Sequence, residues 1–299
     1  MLWRVRTTLP DRPGALAELA RDCGEAGVNI LGLQIFPGVE TVTDELVMHT
    51  PDDWGLVDVA ELIEGAGGTS VSGGPCADHA LVDQPVRYVL AARSVLAQPA
   101  SFPEVVAELF DAEADPDEGG LAPVQDVMEM TVGDVAVQVR RTAPFTATEH
   151  ARGAAMADLV NDVLARSRAA GPLEPTPGRR VGSASVPEYA AAPRQVSATV
   201  EGTVVGLAGL ADSPEPGVLT VSLQVDPAWR RRGIGSRLLV EVARVAAGEG
   251  VEEILLSTEP DNQAVLPMVL SAGLRGRIRM ASDRLTVRIP VRDLKPLPA

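Results

Sequence analysis

The chain has 299 residues, which is enough for two domains that each bury a core. Its formal net charge of −15 makes nucleic acid a poor partner, because Lys and Arg that neutralise phosphates supply most of that affinity. No apolar run approaches the roughly 20 residues that cross a bilayer, and Met1–Pro10 contains no apolar signal core. We therefore expect a cytoplasmic protein without a membrane partner.

The two cysteines do not form a recognisable metal or redox motif. Cys23 falls on an apolar helical face and Cys76 lies at the end of a predicted strand, without C-x-x-C spacing or a His cluster nearby. Isolated apolar cysteines of this kind behave as buried thiols. The sequence therefore predicts two inert thiols and no metal site.

Residues 1–76 show strand and helix periodicities in the order βαββαβ. That order is typical of a ferredoxin-like α+β fold. The predicted elements are a strand at Leu2–Leu9, a helix through Cys23, strands at Val28–Phe36 and Thr41–His49, a helix at Leu56–Ile63 and an edge strand at Thr69–Ser72.

The turn Asp11–Gly14, together with Asn29 at the start of the second strand, resembles the amino-acid-sensing ACT domain. Gly14 permits close backbone approach at a helix start that favours a carboxylate, and Asn29 offers a donor and an acceptor. The resemblance implies an amino acid held between two ACT domains of a homodimer. The implied effector contacts are Asp11, Pro13, Gly14, Ala15, Leu16, Asn29 and Ile30.

Two other interpretations of this region stay open. Taken singly, these residues also fit a helix cap, a bare turn and a strand start. An ACT fold could also serve dimerisation alone.

Residues 77–125 carry no chemical motif. Val86–Leu96 and Pro103–Phe110 have helical apolar spacing, and the acidic, Gly-containing stretch Asp111–Gly120 predicts a loop. We expect a linker or a helical packing layer.

Residues 126–299 form the predicted C-terminal domain. Thr146-x-x-Glu149 is a capping-box pattern that begins a long helix, and the Pro-, Gly- and Ala-rich residues 171–194 predict a surface loop. The predicted strands are Val127–Val132, Val135–Arg141, Gln195–Val200, Thr203–Leu210, Val218–Val225 and Glu253–Thr258.

The segment Arg230-x-x-Gly233-x-Gly235 joins the strand that ends at Val225 to an amphipathic helix. Amides at a helix N-terminus lack intrahelical partners and carry partial positive charge, so they bind anions. The spacing resembles the pyrophosphate loop of the GNAT N-acetyltransferase superfamily. This resemblance implies a mixed-sheet GNAT domain, acetyl-CoA as cosubstrate, and a strand that splays from its neighbour to pair with the pantetheine. The implied contacts are Leu223, Gln224, Val225, Arg230, Arg231, Arg232, Gly233, Ile234, Gly235, Ser236 and Asn262.

Asn262–Leu274 resembles a second GNAT signature. The family often places there a Tyr that protonates the departing thiolate, and this chain has Val269 instead. We therefore expect no general acid from this position.

An amine acceptor must lose its proton before or during attack. Many GNAT enzymes use a Glu on the strand before the pyrophosphate loop, but Val218–Val225 contains no carboxylate. The candidate bases are Glu259, after the next strand, and Glu215, just before this one. For each, an exposed loop carboxylate without a catalytic role is the alternative.

The two ends together resemble the amino-acid-regulated protein lysine acetyltransferases of actinobacteria, whose targets include acyl-CoA synthetases. The expected partners are an amino-acid effector, a protein substrate such as an acyl-CoA synthetase, and a second copy bound through the ACT domains. Two alternatives remain. One is an acetyltransferase of a small-molecule amine with the same regulator. The other is a non-catalytic sensor of amino acid and acetyl-CoA.

Overall fold

The computed structural model describes residues 1–37, 41–76, 84–113, 125–169 and 186–294. The chain divides into two compact units. Unit 1 comprises Met1–Leu90, Leu121–Val127 and Arg141–Arg152, and unit 2 comprises Ala91–Gly120, Met128–Arg140 and Gly153–Ala299. No described helix combines the length and apolar character that a membrane span requires.

Unit 1 contains a four-stranded antiparallel sheet in the order β2-β3-β1-β4. The elements are β1 (Leu2–Pro10), α1 (Ala15–Glu25), β2 (Asn29–Pro37), β3 (Thr41–His49), α2 (Leu56–Gly65) and β4 (Thr69–Pro75). This is the predicted βαββαβ order, and β3 has the predicted bounds. The expected ferredoxin-like arrangement is therefore confirmed.

One face of this sheet carries the apolar core. Strand side chains alternate between faces, so Trp3, Val5 and Leu9 of β1 point to the same side and are buried with Leu19 and Cys23 of α1. Burial raises the pKa of the Cys23 thiol. A protonated, buried thiol is unreactive, as the sequence predicts.

Unit 2 contains most of a nine-stranded mixed sheet in the order β5-β6-β12-β13-β11-β10-β9-β8-β7. Two neighbouring pairs, β10 with β11 and β6 with β12, run parallel. The elements from residue 84 onward are α3 (Gln84–Ala97), a short 3-10 helix (Pro99–Ser101), α4 (Phe102–Leu109), β5 (Asp126–Val132), β6 (Val135–Arg141), α5 (Ala147–Ala169), β7 (Glu188–Ala192), β8 (Gln195–Val200), β9 (Thr203–Asp212), β10 (Val218–Val225), α6 (Ile234–Gly248), β11 (Glu253–Thr258), α7 (Val265–Ala272), β12 (Gly276–Met280) and β13 (Leu285–Pro290).

The predicted loop at 171–194 is wrong in its last part. Residues 188–192 form β7, which pairs antiparallel with β8, while residues 171–185 lie outside the described residues. Three successive alanines, Ala190–Ala192, have low strand propensity, so pairing with β8 determines this strand. The turn residue Gly38 of the first unit also lies outside the described residues.

Helix α6 lies close to the sheet of unit 2. Its buried face includes Ile234, Leu238 and Val242. A Cβ at Gly206 of β9 would lie 2.9 Å from a methyl group of Leu238 and 3.1 Å from one of Ile234, so glycine permits this close approach. The packing fixes the first turn of α6 beside the end of β10.

Unit 1 also contains a buried ion cluster on the other face of β1 and β3, which no local sequence pattern indicates. The Arg6 guanidinium donates to Glu45 on β3 and to Glu149 in the first turn of α5, with Nη2 to Glu149 Oε1 at 2.8 Å. Arg141 donates to the same Glu149 carboxylate at 2.8 Å. All four side chains are buried. The predicted capping box is confirmed, because the Glu149 amide donates to the Thr146 hydroxyl and the Thr146 amide to the Glu149 carboxylate.

Candidate functional site

Strand β10 loses one of its two neighbours halfway along its length. It pairs with β11 only from Val218 to Val221, whereas its pairing with β9 continues to Val225. The edge of Ser222–Val225 that faces β11 therefore has no strand partner among the described residues. This is the splay that the resemblance implies, and the predicted contacts Leu223, Gln224 and Val225 lie along it.

The segment after β10 presents a run of unused amides. After a short 3-10 helix at Pro227–Trp229, the chain turns into α6, whose N-cap is Gly233. The six amides from Arg231 to Ser236 donate no hydrogen bond to any described residue, and the first recorded helical bond runs from Arg237 to Gly233. Six consecutive free donors at a helix N-terminus form an anion-binding cradle.

The two glycines of this cradle have different roles. Gly233 has a φ of +79°, a left-handed conformation that side chains other than glycine rarely adopt, and a Cβ there would meet nothing within 4 Å. At Gly235 a Cβ would lie 3.3 Å from the Met268 sulfur of α7, so this glycine permits α6 and α7 to approach. Gly233 therefore shapes the cradle, and Gly235 packs it against α7.

The three arginines of the loop differ in what they contact. Arg230 Nε donates to the Val225 carbonyl at 3.2 Å, and the Arg232 guanidinium stacks on the Trp229 ring at 4.6 Å. Arg231 has a φ of +60° and, among the described residues, no side-chain partner. Its exposed guanidinium is thus available to a bound anion.

The second predicted cofactor segment supports the loop before α7. Asn262 donates to the Thr258 hydroxyl at 3.0 Å and accepts from the Ala264 amide at 3.2 Å. Its amide group is thus engaged in holding the turn that starts α7. Val269, where the family often has a tyrosine, is completely buried, so no acid reaches the splay from this position.

Glu259 lies at the same sheet edge as the cradle. Since β10 and β11 run parallel, their C-terminal ends meet at one edge, and Glu259 directly follows β11. Its side chain is exposed and forms no recorded hydrogen bond or ion pair with a described residue. The structure thus places one candidate base beside the splay with a free carboxylate.

Glu215 lies at the opposite edge of the sheet. It precedes β10, whose eight residues span roughly 23 Å. Arg288 binds both of its carboxylate oxygens, and this hydrogen bonding holds the pKa of Glu215 below its ordinary value. A carboxylate paired in this way is a weak proton acceptor, so the geometry favours Glu259.

Side chains of residues 91–113 contact the loop that follows β11. Gln98 donates to the Gln263 side chain, which donates to Glu104 of α4 at 3.2 Å. The predicted helices of this segment are present, and it contributes contacts to the turn between Glu259 and α7. Sequence reasoning missed these partners because isolated glutamines carry no positional signal.

In unit 1, the predicted effector loop also presents free amides. Gly14 is the N-cap of α1 with a φ of 95° and no side-chain cap, so Asp11 does not cap the helix. The amides of Leu16 and Ala17 donate to no described residue, whereas Ala15 donates to the Arg12 carbonyl and Arg12 pairs with Glu18. The start of α1 can therefore accept a carboxylate.

The structure does not bring Asn29 and Ile30 to this loop. Leu9, next to the loop, pairs with Val42, whereas Asn29 pairs with His49 at the other end of β3. Seven residues of extended strand separate these positions by roughly 24 Å. One chain alone therefore does not assemble the predicted effector contacts.

Comparisons with known proteins identify a family for each of these regions. Residues 3–67 match the ACT domain and residues 172–273 match the Acetyltransferase (GNAT) family. No curated protein matches the chain. The chain thus contains an ACT domain followed by a GNAT acetyltransferase domain, which confirms the predicted fold class and the predicted acetyltransferase domain.

Solved structures similar to this chain match about a third of it. A GNAT-family acetyltransferase from Streptococcus pneumoniae is 17% identical, with 31% of this chain and 63% of that chain covered and a TM-score of 0.27. A putative acetyltransferase from Salmonella typhimurium, solved with its cofactor acetyl-CoA, is 19% identical, with 35% and 68% covered and a TM-score of 0.29. The ribosomal-protein-alanine N-acetyltransferase of Brucella melitensis is 24% identical, with 31% and 66% covered and a TM-score of 0.28. The match thus spans less than two thirds of the streptococcal protein.

Proposed function

We propose that this protein is an acetyl-CoA-dependent N-acetyltransferase that modifies protein lysine side chains and is regulated by an amino acid bound at its ACT domain. The observation that carries the proposal is the run of free amides from Arg231 to Ser236 at the end of a splayed strand. A diphosphate fits these donors because it offers several acceptor oxygens and negative charge. Acetyl-CoA, when bound, supplies the activated acetyl group.

The splay provides backbone groups for the pantetheine arm. Backbone groups of alternate residues face the same edge of a strand, so Leu223 shares this edge with Val225. Arg230 already uses the Val225 carbonyl, and Leu223 supplies the remaining backbone groups. The pairing of β10 with β11 ends at Leu256, and the extended pantetheine arm would continue it along the open edge of β10. This arrangement directs the thioester into the gap between the two strands.

Glu259 is the proposed base. A lysine amine has an ordinary pKa of about 10.4, so it must lose a proton to attack the thioester. The Glu259 carboxylate is exposed, has no partner among the described residues and lies at the edge where the splay opens. Because Val269 provides no acid, the coenzyme thiolate leaves without a protein proton donor.

An exposed catalytic edge suits a side chain presented by another protein. The alternative acceptor, a small-molecule amine, is distinguished by measuring thiol release from acetyl-CoA with a lysine-bearing protein, with free amines and without acceptor. We expect release with the protein, and release only with free amines would contradict the lysine assignment. The buried Val269 and the absence of a carboxylate on β10 favour a second candidate, a non-catalytic sensor, which would bind acetyl-CoA but release no thiol with any acceptor.

The amino-acid effector is proposed to bind between two chains. Its carboxylate would meet the start of α1 in one chain, and its side chain would meet Asn29 and Ile30 of the other, because one chain holds these groups roughly 24 Å apart. Strand β2 is an edge of its sheet and exposes Leu31, Leu33 and Ile35, which favours pairing with a second copy. We further propose that an acyl-CoA synthetase is a protein substrate and that the protein is located in the cytoplasm.

A further inference from the structure

The core face of the unit 1 sheet contains a carboxylate among apolar side chains. Along β3, Val42, Asp44, Leu46 and Met48 alternate onto this face, opposite the core residues of β1. Asp44 is 3% exposed. Within the described residues, its carboxylate forms no recorded hydrogen bond or ion pair.

The next residue, Glu45, is a buried carboxylate of the same strand whose charge is paired. Glu45 points to the opposite face, where Arg4 and Arg6 bind it. Their charges and hydrogen bonds outweigh burial and lower the pKa of Glu45, whereas burial raises the pKa of Asp44 to about 6. A buried carboxylate without a partner destabilises the fold, and groups of this kind concentrate at functional sites.

Asp44 lies toward the end of the sheet from which α1 begins. It pairs with Thr7, three residues before β1 ends at Pro10, so it lies roughly 10 Å along the strand from that end. The Leu16 and Ala17 amides of α1 are at the same end and have no acceptor among the described residues. Free amides and an uncompensated carboxylate together complement a molecule with both a carboxylate and an ammonium group.

In a single chain the site opens along the edge strand β2, where the second copy is proposed to pair. Ile35 of β2 pairs with Asp44 and is 50% exposed, so the cross-strand neighbour of the carboxylate is at the surface. A ligand can therefore approach Asp44 beside β2, next to the exposed apolar side chains of that strand.

No described charged group faces Asp44 from the elements on its side of the sheet. Thr7 uses its hydroxyl to donate to the Thr69 carbonyl, and the Cys23 thiol has a raised pKa. Arg12 lies in the turn before α1 and Glu18 in the first turn of α1, and these two side chains pair with each other. The residues presented to this side include Thr7 and Leu9 from β1, Ile35 from β2, Leu19 from α1, Ile63 from α2 and Val71 from β4.

We propose that Asp44 is the subsite that receives the ammonium group of the effector amino acid, whose carboxylate is held by the Leu16 and Ala17 amides. This inference rests on the proposed effector function. Asp44 then binds the ammonium group, for which the turn Asp11–Gly14 offers no side chain in this proposal. The ligand must therefore have a free α-ammonium group.

The test is isothermal titration of the full chain with each of the twenty amino acids, followed by titration of Asp44→Asn with the amino acid that binds. A charge-assisted hydrogen bond to a buried carboxylate implies that this variant binds about tenfold to a hundredfold more weakly. Its melting temperature should be unchanged or higher, because the variant removes an uncompensated buried charge. The control Glu45→Gln should lower the melting temperature and leave the affinity unchanged.

Proton release provides a second readout. Near pH 6 the free Asp44 carboxyl is partly protonated, and binding an ammonium group keeps it ionised, so titrations in buffers of different ionisation enthalpy should show proton release. Affinity should fall as the pH drops below about 6 in the wild type and stay flat in Asp44→Asn.

Three results would overturn the inference. Asp44→Asn with wild-type affinity and pH dependence, or a carboxylic acid without the amino group that binds as tightly as the amino acid, would remove the subsite and leave the effector function standing. A wild-type chain that binds none of the amino acids would remove both.

Discussion

Gly233 determines the direction of the amides in the proposed diphosphate cradle. A Cβ at this position would meet open space, so packing does not require glycine here. The left-handed φ of +79° is what disfavours other residues. Gly233→Ala should therefore act through the backbone, at a cost of roughly 1 kcal/mol. Relaxation of that strain turns the Ile234 and Gly235 amides, so we expect acetyl-CoA to bind about tenfold more weakly in isothermal titration.

Gly250 provides a matched control for this change. It follows α6, has a φ of +77°, and a Cβ there would also meet nothing within 4 Å. Gly250→Ala should lower the melting temperature by a similar amount and bind acetyl-CoA as the wild type does. An equal loss of binding in both variants would show that general destabilisation, not the cradle, weakens binding.

The proposed general base is the single residue Glu259. Glu259→Gln should remove the acidic limb of the pH profile of thiol release and lower the rate by roughly a hundredfold or more, the usual contribution of general base catalysis. Glu215→Gln is the control, because Arg288 already engages that carboxylate. A Glu259→Gln enzyme with the wild-type pH profile would exclude Glu259.

At the scale of elements, the buried ion cluster joins β1, β3 and the start of α5 within unit 1. Burial raises the pKa of Glu149, but hydrogen bonds and charges from Arg6 and Arg141 outweigh it and hold the pKa at about 2. The unfolded pKa is near 4.5, so the stabilisation is complete above that pH and is lost as the pH falls toward 2.

We therefore expect Glu149→Gln to destabilise unit 1 by about 3 kcal/mol at neutral pH, because it leaves two arginines without their shared carboxylate. Thermal unfolding between pH 7 and pH 3 measures this. The difference from the wild type should shrink below about pH 4.5. Glu64→Gln, at an exposed helix position, should follow the wild type at every pH; a Glu149 difference that stays constant with pH would contradict the linkage.

Local patterns predicted the elements of both proposed ligand sites, and non-local contacts account for most of what was missed. The Arg230-to-Gly235 spacing and the turn before α1 are short-range features, and both occur where expected. Arg6 and Glu149 are 143 residues apart, so no local pattern predicts their pairing. Strand β12 likewise pairs with β6, which lies far from it in the chain. Asp44 was a missed signal, because the alternation of β3 already places it on the apolar face.

At the scale of the whole molecule, the chain combines two proposed ligand sites of related design. Each presents free amides at a helix that begins after a left-handed glycine, Gly14 in unit 1 and Gly233 in unit 2. The proposed effector contacts of unit 1 are separated by roughly 24 Å within one chain, so the proposed site includes a second copy, whereas the cradle residues of unit 2 are contiguous. Coupling between the sites requires that the effector bind the active and inactive states with different affinity.

The most direct test of the central claim is isothermal titration of the full chain with acetyl-CoA and, separately, with acetyl-pantetheine, which lacks the diphosphate. If the amides from Arg231 to Ser236 hold the diphosphate, acetyl-CoA should bind at least about a hundredfold more tightly, since several charge-assisted hydrogen bonds are lost with that group. Equal affinity for the two thioesters, or no binding of acetyl-CoA by the folded chain, would contradict it.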